Sequence, residues 1–141
     1  MNKEEMKLYI GTKTVKAMPM TMGEAYERKF LKEGVRPSEC ETDKAGYLVE
    51  YEDGYQSWSP AEPFEKAYKP SDTFIERLRI ERNELNERYQ KLCSFTNIGF
   101  NKVAEKVGAK QAALLGMQAK YMQTYLKVLN LRILNLDNEK K

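Results

Sequence analysis

Seven residues near the end of the chain, Leu115, Ala119, Met122, Leu126, Leu129, Ile133 and Leu136, follow one another in unbroken four-three alternation. That spacing holds all seven on one stripe of an α-helix, and it fits no strand, where side chains alternate with a period of two. The helix it predicts starts near Ala109, directly after Gly108, and so long a stripe has to be buried along a partner rod. The chain supplies one. From Thr73 to Ser94 the segment TFIERLRIERNELNERYQKLCS contains no glycine or proline and consists largely of good helix formers. Leu78, Leu85 and Leu92 are seven apart within it, with Ile75, Arg82 and Tyr89 at the intervening positions. Between the rods, Phe95, Ile98, Phe100, Val103 and Val107 predict a short apolar-faced helix that closes the end of a hairpin.

A second apolar set on the last helix, Met117, Tyr121, Tyr125, Val128 and Leu131, widens its arc beyond what one hairpin partner covers. At 1.5 Å per residue the two rods are roughly 33 and 42 Å long, which suits a bundle between chains. Both observations predict a homo-oligomer, with a dimeric four-helix bundle as its smallest form.

The first half reads differently. LYIGTKTVKAM, Leu8 to Met18, is rich in β-branched residues and ends at Pro19, as a first strand would. Thr21 and Glu24 form a T-x-x-E capping box at the start of a short helix whose apolar face is Met22, Tyr26 and Phe30. A polar loop with Gly34 and Pro37 follows. In YLVEYEDGYQSW the Asp53-Gly54 pair predicts a two-residue type I′ hairpin turn, since both positions of that turn need positive φ. In the implied register Val49 faces Trp58 and Tyr51 faces Gln56, so Tyr47, Val49, Tyr51 and Trp58 share the core face and Tyr55 lies on the wet one. Ser59-Pro60-Ala61-Glu62 then reads as a second capping box, opening a helix that buries Phe64 and Tyr68 before Pro70. The predicted class is α+β: a small antiparallel β-sheet module (β-α-β-β-α) in residues 1–70, followed by a long antiparallel α-helical hairpin in residues 71–141.

Composition narrows the chemistry. The 141 residues include no histidine, which removes the usual neutral-pH general base and the commonest metal ligand. Cys40 and Cys93 have no partner at metal-ligand spacing and are expected to be reduced. No glycine-rich phosphate loop is present, and the expectation is a binding protein without cofactor or metal rather than an enzyme. No apolar run reaches the ~20 residues that span a bilayer, and MNKEEMKLYI lacks a signal-peptide core, so a cytoplasmic protein is expected. Residues 1–71 hold 11 basic and 13 acidic side chains, whereas residues 72–141 hold 13 and 8. An anionic partner should therefore prefer the second half, although the basic patch is too sparse for a nucleic acid polymer.

Within that half Arg82 interrupts an otherwise apolar stripe. It either lays its stem across apolar surface with its head in water or holds an anion or a partner carboxylate. Tyr121 and Tyr125 lie one turn apart with Lys120 beside them, a constellation that could stack a base and hold a phosphate, or else pack at an interface. Tyr55 is the exposed aromatic of the first half.

The stretches YIGTKTVKAMPMT and GYLVEYEDGYQSWSPAEPFEKAY resemble an N-terminal module of accessory proteins from tailed phages and prophages. The second half, with DTFIERLRIERNELNERYQKL and QAALLGMQAKYMQTYLKVLNLRI, is similar to phage helical-hairpin domains associated with anti-CBASS and anti-Thoeris sponges. The resemblance implies a phage anti-defence protein that sequesters a cyclic-nucleotide or ADP-ribose-type immune signal without cleaving it, in pockets built by an oligomer. No ligand-binding motif is shared position by position, so the candidate site rests on physical grounds. Arg79, Arg82 and Lys120 would contact phosphates, Tyr121 and Tyr125 would stack on bases, and Tyr55 would contribute if the module folds over the hairpin. The competing expectation is an oligomeric interaction protein that binds a host or phage protein through an exposed part of the last helix.

Overall fold

The computed structural model describes residues 4–139 and divides into two compact units, Met1–Lys69 and Pro70–Lys141. The first is a three-stranded antiparallel sheet of order β1-β2-β3 with two short helices. Its elements run β1 (Lys16–Pro19), α1 (Met22–Glu27), β2 (Gly46–Glu50), β3 (Gln56–Pro60) and α2 (Ala61–Ala67). This is the expected β-α-β-β-α order, but several local details differ.

The first strand is shorter than expected. β2 ends at Glu50, which pairs with Lys16, so residues before Lys16 would run past the hairpin turn with no strand to meet. Leu8 to Ile10 accordingly lie outside any strand and are exposed.

The hairpin turn holds three residues rather than two. Tyr51 N–H donates to the Tyr55 carbonyl and Gly54 N–H to the Tyr51 carbonyl, both at 2.9 Å. Gly54 has φ 89°, while Asp53 keeps negative φ and its carboxylate accepts from Tyr55 N–H at 3.0 Å. A type I turn followed by a glycine bulge satisfies that geometry, and a type I′ turn does not. The extra residue slips the register by one, so Leu48, not Val49, faces Trp58.

Trp58 therefore joins Met20, Ala25, Leu48, Phe30 and Leu31 on the α1 side of the sheet, where its Nε1–H donates to the Met20 carbonyl at 2.7 Å. The indole lies so close to Gly46 that a Cβ there would sit 2.4 Å from two ring carbons, which explains the glycine. Ala25, rather than Tyr26, is the α1 residue that is fully buried. Tyr47 occupies the other sheet face, stacked on Phe64 of α2 at 4.4 Å, with Tyr68 on Phe64 at 5.1 Å.

Capping follows the sequence in part. Thr21 accepts from Glu24 N–H at 3.2 Å, but the Glu24 carboxylate lies 3.7 Å from Arg28. Ser59 belongs to β3, so α2 starts on Pro60 with no side-chain cap.

The second unit is helical: α3 (Phe74–Thr96), α4 (Phe100–Val107) and α5 (Ala109–Glu139). Thr73 and Glu76 form a full capping box at the start of α3, satisfying amide donors that the first turn leaves free. Gly108, at φ 93°, makes the break between α4 and α5. Leu78 and Leu85 of α3 pack with Leu126, Leu129 and Ile133 of α5, flanked by Tyr89, Met122 and Leu136. Arg79 reaches Asp137 and Arg82 reaches Asn130, so residue numbers rise on one helix as they fall on the other and the pair is antiparallel. Each leucine fully buried in this seam contributes about 1.5–3 kcal/mol. None of the described helices is long and apolar enough to cross a membrane.

Candidate functional site

The α3–α5 seam fixes where each candidate side chain of the second unit lies. On α5 the buried Leu126, Leu129 and Ile133 and the half-buried Leu136 are bordered on one side by Asn130 and Asp137, and on the other by Tyr125 and Arg132, each pair seven residues apart. These are the two flanks of a heptad seam. The structure uses both flanks for contacts to α3.

On the first flank the Arg79 guanidinium donates to both carboxylate oxygens of Asp137, at 2.9 and 3.1 Å. Arg82 is half-buried and donates through Nε to Asn83 at 2.7 Å and through Nη1 to Asn130 at 2.8 Å. Both arginines thus tie α3 to α5. Arg79 already holds a carboxylate, whereas Arg82 is bound only to neutral amide oxygens among these partners.

On the second flank the Tyr125 hydroxyl donates to the Glu81 carboxylate. That bond, with burial and the Glu81 charge adding to it, raises the hydroxyl pKa above its ordinary value, against the opposing pull of Arg132 and Arg88. The Arg132 guanidinium sits 5.8 Å from the Phe74 ring centre. Tyr125 and the two arginines of α3 are therefore on opposite edges of one seam and do not face a common volume.

Tyr121 and Lys120 point elsewhere. At 100° per residue the set Leu114, Met117, Tyr121, Val128 and Leu131 lies roughly 130° around α5 from the buried seam. All five are exposed, Tyr121 at 65% and Leu131 at 60%. Thr124 completes their four-three alternation, so α5 carries two heptad stripes back to back. Lys120 borders the outer stripe and is exposed.

Sequence reasoning did not single out Lys110, Lys127 and Arg132, which share that outer half with Lys120 and are likewise exposed. The signal was present, because α5 carries no acidic residue before Asp137. None of these four cations forms an ion pair among the described residues.

Tyr55 belongs to the first unit, where it stacks on Tyr51 at 6.1 Å between ring centres and is 62% exposed. It shares its sheet face with Tyr51, whereas the expected register set the two on opposite faces. Two shallow depressions, of about 300 and 190 Å³, also lie in that unit, lined in part by Tyr26 and Lys32 and by Lys16 and Gln56. None of the six candidate residues lines either one.

The seam geometry coincides with a family match. Residues 72–135 fit the family model described as Sequestin, which spans just under half of the chain and falls wholly within the second unit. The helical hairpin is thus similar to that family. No curated protein and no solved structure gives a match.

Proposed function

We propose that this chain sequesters a small anionic, nucleotide-like signal and releases it unchanged, acting as an oligomeric sponge in phage anti-defence. The observation that carries the reading is the fit of residues 72–135 to Sequestin, whose name denotes sequestration. The chemistry of α5 supports it: a helix with no acidic residue before Asp137, carrying exposed Lys120 and Lys127 beside exposed Tyr121, offers cations for phosphates and an aromatic face for a base. Each charge-assisted contact in an enclosed site contributes about 1.5–3 kcal/mol, so a few of them suffice for tight capture. The arginines of the seam take a different part, with Arg79 and Arg82 holding the hairpin together. In this reading Lys120 meets the phosphates, Tyr121 stacks, and Tyr125, its hydroxyl held by Glu81, offers only its ring.

A thermal-shift screen of cyclic di- and trinucleotides and ADP-ribose isomers tests the proposal. Stabilisation by one class, with the ligand recovered intact after release, is the expected result. A flat profile over the whole set removes it.

The exposed apolar stripe of α5 favours a second reading, an interaction protein that docks a host or phage protein there. Affinity capture separates the two, since a sponge retains small metabolites while an interaction protein retains a stoichiometric protein partner.

A further inference from the structure

The outer face of α5 combines two features that rarely coexist on a surface left open. Leu114, Met117, Tyr121, Val128 and Leu131 make an exposed stripe in heptad register, which is the pattern of a helix packed lengthwise on another. The positions bordering this stripe, however, carry lysine and arginine with no acid among them. Apolar burial draws a second rod onto the face, and unbalanced charge keeps it off. An anion at the border resolves the conflict.

α5 itself has the length and spacing that the stripe demands of a partner, and closed two-fold pairing is the commonest way identical chains meet. An antiparallel pairing centred between Tyr121 and Thr124 places Leu114 against Leu131 of the partner subunit and Met117 against Val128 of the partner subunit. Lys110 then meets Asn135 of the partner subunit. A parallel pairing would instead stack Lys110 on its own copy within the apolar seam, burying like charges together. In the antiparallel arrangement the flanking positions pair as Lys120 with Lys127 of the partner subunit, and the reverse. Four ammonium groups gather around the two-fold axis on one face of the helix pair, and the opposite face receives the neutral Tyr125 and Gln118 near the axis, with Arg132 farther along the same flank.

We propose that two copies pair antiparallel through the outer face of α5, and that Lys120 and Lys127 of both copies form one anion site across the axis, suited to a small ligand bearing two phosphates. The site is incomplete in a single chain. This rests on the sequestration reading for the identity of the natural ligand, but the pairing and its charge pattern are testable without it. Binding and self-association are then one event: the anion cancels the repulsion that otherwise opposes the pairing, and the pairing supplies half of the anion's contacts.

Sedimentation velocity on the full chain over a sodium chloride series, with inorganic pyrophosphate as the probe, reads both halves of the proposal. The wild type should self-associate more tightly as salt rises, because screening weakens repulsion between lysines while apolar burial persists. Pyrophosphate should tighten it at low salt. Leu131→Asp should abolish the dimer. Lys120→Glu sets a glutamate opposite Lys127 of the partner subunit on both sides of the axis. That variant should tighten the low-salt dimer by about tenfold, reverse the salt trend and lose the pyrophosphate effect. Adding Lys127→Glu restores like charges and should return the weak, salt-strengthened dimer, still without a response to pyrophosphate.

A chain that remains monomeric throughout overturns the proposal, as does a Lys120→Glu variant no tighter than the wild type or a wild-type dimer indifferent to pyrophosphate. A nucleotide signal bound equally well by Lys120→Glu overturns this site while leaving sequestration standing. The full charge-swap pattern in a protein that binds no cyclic nucleotide or ADP-ribose isomer upholds the paired site and removes sequestration instead.

Discussion

The two long faces of α5 carry the same kind of apolar repeat and meet opposite fates. The inner face, with Leu126, Leu129 and Ile133, is buried against α3, and its borders are satisfied: Asp137 by Arg79, Asn130 by Arg82, Tyr125 by Glu81. The outer face, with Tyr121, Val128 and Leu131, is exposed and bordered by cations without an acid. Apolar periodicity alone states that a helix face wants cover. The residues beside the stripe tell what covers it, because each border must find charge and hydrogen-bond partners in whatever arrives. α3 brings such partners to the inner face, and no described element brings them to the outer one.

Truncating one leucine on each face gives the sharpest contrast and the largest effect. Leu129 is 0% exposed, so Leu129→Ala removes buried contacts and leaves a cavity, at a cost of about 2–5 kcal/mol in urea unfolding. Leu131→Ala, two residues along the same helix, should change the stability of the dilute single chain by no more than about 0.5 kcal/mol. If Leu131→Ala proves as costly as Leu129→Ala in a monomeric sample, the outer stripe is already covered within the chain and the comparison collapses.

The helical half was legible because its signal is a repeat. Seven spaced apolar residues on α5 determine one buried face whatever the details of α3, and that face is the one observed. The sheet depends on a count of one. Three residues turn the β2–β3 corner, with the Asp53 carboxylate receiving Tyr55 N–H, and the Asp-Gly pair alone does not reveal that count. From that single residue follows the side of the sheet on which Trp58 lies. Candidate residues fared according to whether their surroundings are local. Lys120 and Tyr121 could be placed together from spacing within one helix. The separation of Arg79 and Arg82 from Tyr125 required the register of two helices far apart in sequence: Arg79 meets an aspartate 58 positions away. Once the hairpin is known to be antiparallel, the seven-residue interval between Asn130 and Asp137 marks them as the facing flank, so part of this signal was available.

That flank supports a smaller prediction. The Arg79 and Asp137 side chains remain 46% and 45% exposed, so solvent screens the attraction between them. Asp137→Ala should cost no more than about 1 kcal/mol, and salt titration of the unfolding midpoint should erase most of the difference from the wild type. A loss comparable to that of Leu129→Ala would mean that charge, rather than apolar burial, holds the hairpin closed. The same variant frees the Arg79 guanidinium, so any gain in binding of an anionic probe would locate a second cationic site on the inner flank and blur the distinction between the faces.

The opposite flank provides the finest test. The Glu81 carboxylate accepts the Tyr125 hydroxyl, which favours the protonated phenol in the folded chain and raises its pKa above the ordinary 10.0. A raised folded pKa means that the folded state keeps its proton when the unfolded state loses one. The stabilisation is therefore complete below pH 10.0 and is lost as pH climbs through the higher folded value. Lysines titrate over the same range, so the informative quantity is the difference between wild type and Tyr125→Phe, followed by urea midpoints from neutral to strongly alkaline solution. Tyr125→Phe should lack this component of the alkaline decline, giving a shallower slope above pH 10.0. Parallel slopes for the two proteins would show that the hydroxyl is not engaged by Glu81. Tyr125 would then be free to turn its polar end toward a ligand, and the border between the inner and outer faces would belong to the outer one.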